Sequence, residues 1–132
     1  MRSVSRMTHR RQLGQDGEAA AAAHLERLGW SIVTRNWRPD DPHLRGEVDI
    51  IAIDGRSVVF CEVKTRSGGG AGDPLEAVTP IKERRLRLLA RAWLAEAEHD
   101  LSYRTVRFDV IGVRWPPSAV APAIDHVRDA VR

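Results

Sequence analysis

The chain has 132 residues, 42% apolar and 30% charged, which suits one domain with one core and argues against wholesale disorder. Its longest apolar runs fall far short of the roughly 20 residues of a membrane helix, and a single cysteine, Cys61, excludes an internal disulfide and any multi-cysteine zinc site. Net charge is +3, and the excess comes from Arg2, Arg6, Arg10 and Arg11, without which the chain is nearly neutral.

Residues 1–11 carry those arginines without an apolar segment. They read as a disordered basic leader, not a secretory signal, and the expected address is cytoplasmic. An alanine-rich helix is expected over residues 13–28, closed by Gly29. Residues 30–37 mix aromatic and β-branched side chains and read as a strand, and residues 38–45, with Pro39 and Pro42, as a loop. Strands over residues 47–53 and 56–65 flank Asp54-Gly55, a strong hairpin signal. Residues 67–73 hold four glycines, forming a loop that either closes over a substrate or only connects. Thr79 then caps a helix that starts with Pro80 and runs to about residue 99. A last strand spans residues 104–113. One domain is therefore expected over residues 12–115, in α-β-β-β-α-β order. Residues 116–132 are expected to be a poorly ordered tail, with a short helix open to residues 124–131.

The chemistry starts at Glu18, which shares a helical face with Ala21, Ala22 and Leu25 and so points toward the sheet. A buried acid there needs a partner; the alternative is a first-turn carboxylate favoured by the helix dipole. If Asp54 and Gly55 are the two turn residues, Ile51 faces Val58, Asp49 faces Phe60 and Glu47 faces Glu62. Asp49, Ile51, Ile53, Val58, Phe60, Glu62 and Lys64 then share one face, apolar near the turn and ionic at the far end. Asp49 and Glu62 become diagonal neighbours, roughly 7–8 Å apart at the backbone, and a one-residue slip would separate them. Such oxygen donors suit a hard cation, Mg²⁺ or Mn²⁺, with Val63 offering its backbone carbonyl and Glu18 reaching in from the helix. Lys64 is positioned to hold an attacking water or stabilise charge on a phosphorane. The competing reading of Glu62-Val63-Lys64 is an ion pair on a solvated strand.

Four stretches carry a family resemblance: Gly14-Gln15-Asp16-Gly17-Glu18-Ala19-Ala20, Gly46-Glu47-Val48-Asp49-Ile50-Ile51-Ala52, Phe60-Cys61-Glu62-Val63-Lys64-Thr65-Arg66 and Arg107-Phe108-Asp109-Val110-Ile111. Together, over about residues 13–113, they resemble the PD-(D/E)XK, or restriction-endonuclease-like, superfamily. More closely they resemble the YraN family of small bacterial proteins, similar in turn to archaeal Holliday junction resolvases. The resemblance implies an α/β fold with a mixed central sheet flanked by helices. It puts Glu18, Asp49, Glu62 and Lys64 in the metal and catalytic positions of a Mg²⁺- or Mn²⁺-dependent endonuclease. It also implies DNA as substrate, branched or flapped by analogy with resolvases. Val48 stands where the superfamily has its proline.

Around this set, Arg84, Arg87 and Arg91 form a stripe opposite Leu86, Leu89 and Trp93. It is either a face that follows a phosphate backbone or a solvated face balanced by Glu83 and Glu96. Lys82 and Arg85 lie nearer the helix start, and Arg66 follows the catalytic strand, so these six basic residues are the nucleic-acid-binding candidates. The five histidines lack metal-binding spacing, which disfavours zinc. Asp109 is expected to play a structural hydrogen-bonding role. Two other readings stay open, a nucleic-acid-binding module without catalysis and a protein-interaction scaffold using the surface near Trp115. One site cuts one strand, so paired cuts would require a homodimer.

Overall fold

A computed structural model describes residues 2–67, 78–96, 105–116 and 119–131, with side chains from Thr8 onward. Its elements are α1 (Arg2–Arg27), β1 (Ser31–Trp37), β2 (Val48–Asp54), β3 (Ser57–Ser67), α2 (Pro80–Leu94), β4 (Thr105–Trp115) and β5 (Ala123–Val127). The glycine-rich stretch from Gly68 and the expected end of the second helix at His99 lie outside the described residues. Among the described residues, no helix is long and apolar enough to cross a membrane.

The first helix corrects the expected leader: it starts at Arg2, not Leu13. No proline or glycine interrupts residues 2–13, so nothing stops the helix from propagating backward. The Gln12 amide also donates to Asp16, one turn on, at 2.9 Å. The helix ends where expected, in a Schellman motif. The Gly29 N–H donates to Glu26 and the Trp30 N–H to Leu25, while Gly29 takes φ +89°. Trp30 and Leu25, the two ends of that motif, meet in the core.

The sheet order is β1-β2-β3-β4-β5. Only β3 and β4 run parallel, the remaining pairs being antiparallel. The parallel step is the one that the connection through α2 allows. α2 begins as expected, with Thr79 accepting from the Lys82 N–H and Pro80 in the first turn.

The hairpin register differs from the expectation by two residues. Ile51 pairs with Phe60 and Asp54 with Ser57, so the turn residues are Gly55 and Arg56. Gly55, at φ +58°, takes the first central position, where a type II′ turn needs glycine. A shift of two preserves the side of the sheet on which every residue lies, which a shift of one would not.

Both faces of the sheet are covered. On one, Ala21, Ala22 and Leu25 of α1 pack on Ile50, Ala52, Val59 and Cys61. On the other, Leu86, Leu89 and Trp93 of α2 pack on Ile51, Val58 and Phe60. Being covered twice explains why β3 opens as an uninterrupted apolar run from Val58 to Cys61. Cys61 is fully buried, and burial pushes its thiol well above the ordinary range, so it serves as a small hydrophobe.

The expected disordered tail, residues 116–132, also needs correction. β5 pairs antiparallel with β4, and Val131 is buried in the α2-side core. The reason is polar. Asp109 on β4 has no solvent exposure and accepts from His126 at 2.8 Å, from the Asp129 N–H at 3.0 Å and from Arg107 at 2.9 Å. Burial alone would raise the Asp109 carboxyl, but these donors hold it below the usual range. The terminal segment is thus tied down by a charge it satisfies, and the structural role expected of Asp109 holds.

Candidate metal centre

The corner where α1, β2 and β3 meet collects the ionic groups. Glu18 reaches it from α1, Asp49 from the start of β2, and Glu62 and Lys64 from the far half of β3. Glu18 lies mid-helix, some four turns from the N-terminus, so the helix-dipole explanation does not apply. The close approach that seats α1 here depends on Gly17. A Cβ at that position would stand 1.9 Å from Oγ1 of Thr65, with the rest of that side chain within 2.8 Å. Glycine therefore lets the helix backbone touch β3 one residue before Glu18. Arg35 on β1, 3.9 Å from the Glu18 carboxylate, helps to hold it.

Carboxylate oxygens of Glu18, Glu47 and Asp49 lie within 4.8 Å of one another, all half-buried. Glu47 was not among the expected ligands. Its signal in the sequence is the Glu47-Val48-Asp49 spacing, although the expected register sets Glu47 only against Glu62. Gly46, at φ +111°, turns the chain just before it, and Arg38 holds its carboxylate at 3.0 Å.

Asp49 is the centre of the group. One carboxylate oxygen accepts the Val63 N–H at 2.8 Å, which ties it to β3. Burial, followed by the charge of Glu62, raises its pKa to about 8, and Glu18 and Glu47 add to the rise. Glu62 is not one of the three clustered carboxylates. It lines a small cavity of about 120 Å³ with Glu47, Lys82 and Arg85. Burial raises its pKa too, against the pull of Lys64 and Lys82. Lys64 is lowered by burial and by its neighbour Lys82.

The corner therefore segregates charge: acids crowd one side and two lysines crowd the other. A divalent cation would relieve the first and an anionic phosphate the second. The donor set fits a hard cation. It is all oxygen, with no thiolate or imidazole in the cluster, and burial together with the crowding of the acids raises the central Asp49 carboxyl to about 8.

The remaining expected residues divide. Val63 and Arg66 line a cleft with Glu18 and Lys64. Lys82 and Arg85 approach Glu62 from α2. Arg84 lines a separate cavity with His43 and Arg45, to which Arg85 also contributes. Arg87 and Arg91 lie exposed on α2, opposite the buried Leu86, Leu89 and Trp93.

A mixed five-stranded sheet between two helices, carrying Asp49 and Glu62-Val63-Lys64 on adjoining strands, defines a restriction-endonuclease-like fold. Within that class the chain belongs to the uncharacterised protein family UPF0102, whose model matches residues 17–113. It is 47% identical to the UPF0102 protein of Acidothermus cellulolyticus over 92% of this chain and 94% of that one. To that of Rhodococcus opacus it is 48% identical, over 94% and 99%. To that of Geotalea daltonii it is 46% identical, over 89% and 87%. This is the family that the sequence motifs resemble.

Proposed function

We propose that this protein is a Mg²⁺- or Mn²⁺-dependent phosphodiesterase that cleaves nucleic acid, DNA in preference. The observation that carries the reading is the meeting of the Glu18, Glu47 and Asp49 carboxylates within 4.8 Å of one another, with Asp49 raised to about 8 by burial and by the acids around it. Such a group destabilises the fold unless it binds something, and strongly perturbed groups gather at functional sites.

Asp49, Glu18 and Glu47 would hold the cation, with Glu62 and the Val63 carbonyl completing its surroundings. When bound, the cation would activate water and screen the phosphate charge. Lys64 would donate hydrogen bonds to the attacking water or to the phosphoryl oxygens, and its lowered pKa brings it nearer the range of proton exchange. Lys82 adds a second positive charge on that side. Arg35, 3.9 Å from the Glu18 carboxylate, would help to hold that ligand in place. A site of this size acts on one strand, so paired cuts would take two copies of the chain. A cytoplasmic place of action goes with this reading.

The test uses purified protein with labelled linear, flapped and four-way DNA, each with EDTA and with Mn²⁺. Cleavage is expected with Mn²⁺ alone, and Asp49→Ala and Lys64→Ala are each expected to abolish it. Undiminished cleavage by Asp49→Ala would refute the assignment.

A further inference from the structure

Beside the acidic corner runs a cleft of about 570 Å³. Arg10, Leu13, Gly14 and Glu18 of α1 form one wall, and residues 63–67 of β3 form the other. It shares Glu18 and Lys64 with the corner and extends away from it along α1 toward Arg10.

Gly14 is the informative residue. α1 carries two internal glycines, and Gly17 is required by the contact with Thr65. A Cβ on Gly14 would meet nothing within 4 Å. Glycine inside a helix is less favourable than alanine, and neither packing nor a left-handed backbone requires it here. What Gly14 does provide is a bare strip of helix in the cleft wall, where another backbone can approach closely.

The charges along that strip are uneven. Arg10 and Lys64 outnumber Glu18 in the lining, which favours a phosphate chain along it. The cleft volume falls within the roughly 300–1,000 Å³ that takes one small molecule. That is room for a nucleotide or two of one strand, whereas a duplex would rest on the rims.

We infer that this cleft is a binding groove for a single polynucleotide strand, whose sugar–phosphate backbone crosses Gly14 with one phosphate on Arg10 and the chain directed into the Lys64 corner. The choice of polymer rests on the nuclease reading. The groove makes this a protein that engages single-stranded ends, flaps or gaps, and Arg10 and Gly14 are positioning residues for that strand.

The experiment measures fluorescence anisotropy of labelled single-stranded DNA and RNA of about 12 nucleotides, within the usual site size of one strand-binding domain. A duplex of the same length and a polyglutamate peptide serve as comparisons, and all binding is measured in EDTA. At least one single strand is expected to bind tenfold or more above the duplex and the peptide. Arg10→Glu is expected to weaken strand binding about tenfold and to flatten the salt dependence by about 0.7 in log–log slope, the share of one phosphate. Gly14→Leu is expected to weaken it similarly while the melting temperature holds or rises. If Gly14→Leu does not fold, Arg10→Glu decides alone. Equal affinity for duplex or polyglutamate, no strand binding at all, or wild-type binding by the variants would overturn the groove. Cleavage measured in parallel with Mn²⁺ keeps the two readings apart. Strand binding without cleavage would sink the nuclease and leave the groove standing, and unaltered cleavage and binding in both variants would do the reverse.

Discussion

Asp49→Asn removes the buried charge from the crowded corner and little else, because asparagine has the same shape and its Oδ1 still accepts the 2.8 Å bond from the Val63 N–H. In the unfolded chain Asp49 titrates near 3.8, and in the folded protein near 8, raised by burial and then by Glu62. Between those values the native state keeps a proton that the unfolded state has released. The free energy of unfolding therefore falls as pH rises from about 4 to about 8, and this contribution is level above that range. One pH unit is worth ~1.4 kcal/mol, which puts the ceiling over the whole interval at about 5–6 kcal/mol. Water entry and side-chain relaxation around a half-buried group reduce this to ~2–3 kcal/mol. Urea unfolding followed by circular dichroism, from pH 5 to pH 9 in EDTA, measures it. Asp49→Asn should be the more stable protein at the alkaline end by that amount, and the difference should shrink toward pH 5. Adding MnCl₂ at alkaline pH should then stabilise the wild type, by about 2.7 kcal/mol at a hundredfold excess over Kd, and leave the variant nearly unmoved. An asparagine variant no more stable than the wild type in EDTA at pH 9 would refute the claim that burial and the neighbouring acids disfavour the Asp49 charge.

The two helical glycines should respond with opposite signs to alanine. Gly17→Ala should cost about 1–3 kcal/mol through overpacking on Thr65, whereas Gly14→Ala should stabilise by about 0.5–1 kcal/mol; urea titrations that give the same sign for both would contradict the packing described. Glu47→Gln should weaken Mn²⁺ binding about 10-fold or more, by analogy with the loss of a supporting metal-site residue, as read by calorimetry, and unchanged affinity would remove Glu47 from the ligand set. Asp109→Ala should destabilise by about 3–5 kcal/mol, since Arg107 and His126 lose their buried partner. With its carboxyl held below the usual range, the stability Asp109 confers is present above its unfolded pKa and is lost as pH falls through the lower folded value. Acid unfolding that is identical in the wild type and Asp109→Ala would exclude that role.

Local signals in the sequence were enough for most of the elements. Gly29 stops α1, Thr79-Pro80 starts α2, and the apolar run through Phe60 marks a strand covered on both faces. What local signals did not carry was the ends of the chain. α1 extends to Arg2 because nothing breaks it, and a run of arginines signals solvation without revealing whether the backbone beneath is helical. β5 exists because Asp109 needs donors, and those donors lie 17 and 20 residues further along the chain. The Pro116-Pro117 pair reads in the sequence as a stop signal but gives no hint of the strand beyond it. Such long-range polar satisfaction leaves no periodic trace in the sequence.

The site was legible for a different reason. The hairpin pairs two residues away from the alignment that its Asp-Gly signal implied, yet Asp49, Glu62 and Lys64 keep their side of the sheet because the side-chain period of a strand is two. Errors in multiples of that period leave the assignment of faces intact, so the face was more robust than the contacts drawn from it. The contacts did change. The three clustered carboxylates are Glu18, Glu47 and Asp49, while Glu62 turns toward Lys64 and Lys82. Glu47 lies outside the regular strand, just past the bend at Gly46, and alternation alone gives no reason to aim it at Asp49. Glu18 reaches the group from the helix on the opposite face of the sheet, by way of the one place where a glycine lets that helix backbone touch β3. The acidic corner thus rests on two glycines around one strand residue: Gly17, which seats α1 against β3 one residue before Glu18, and Gly46, which turns the chain just before Glu47.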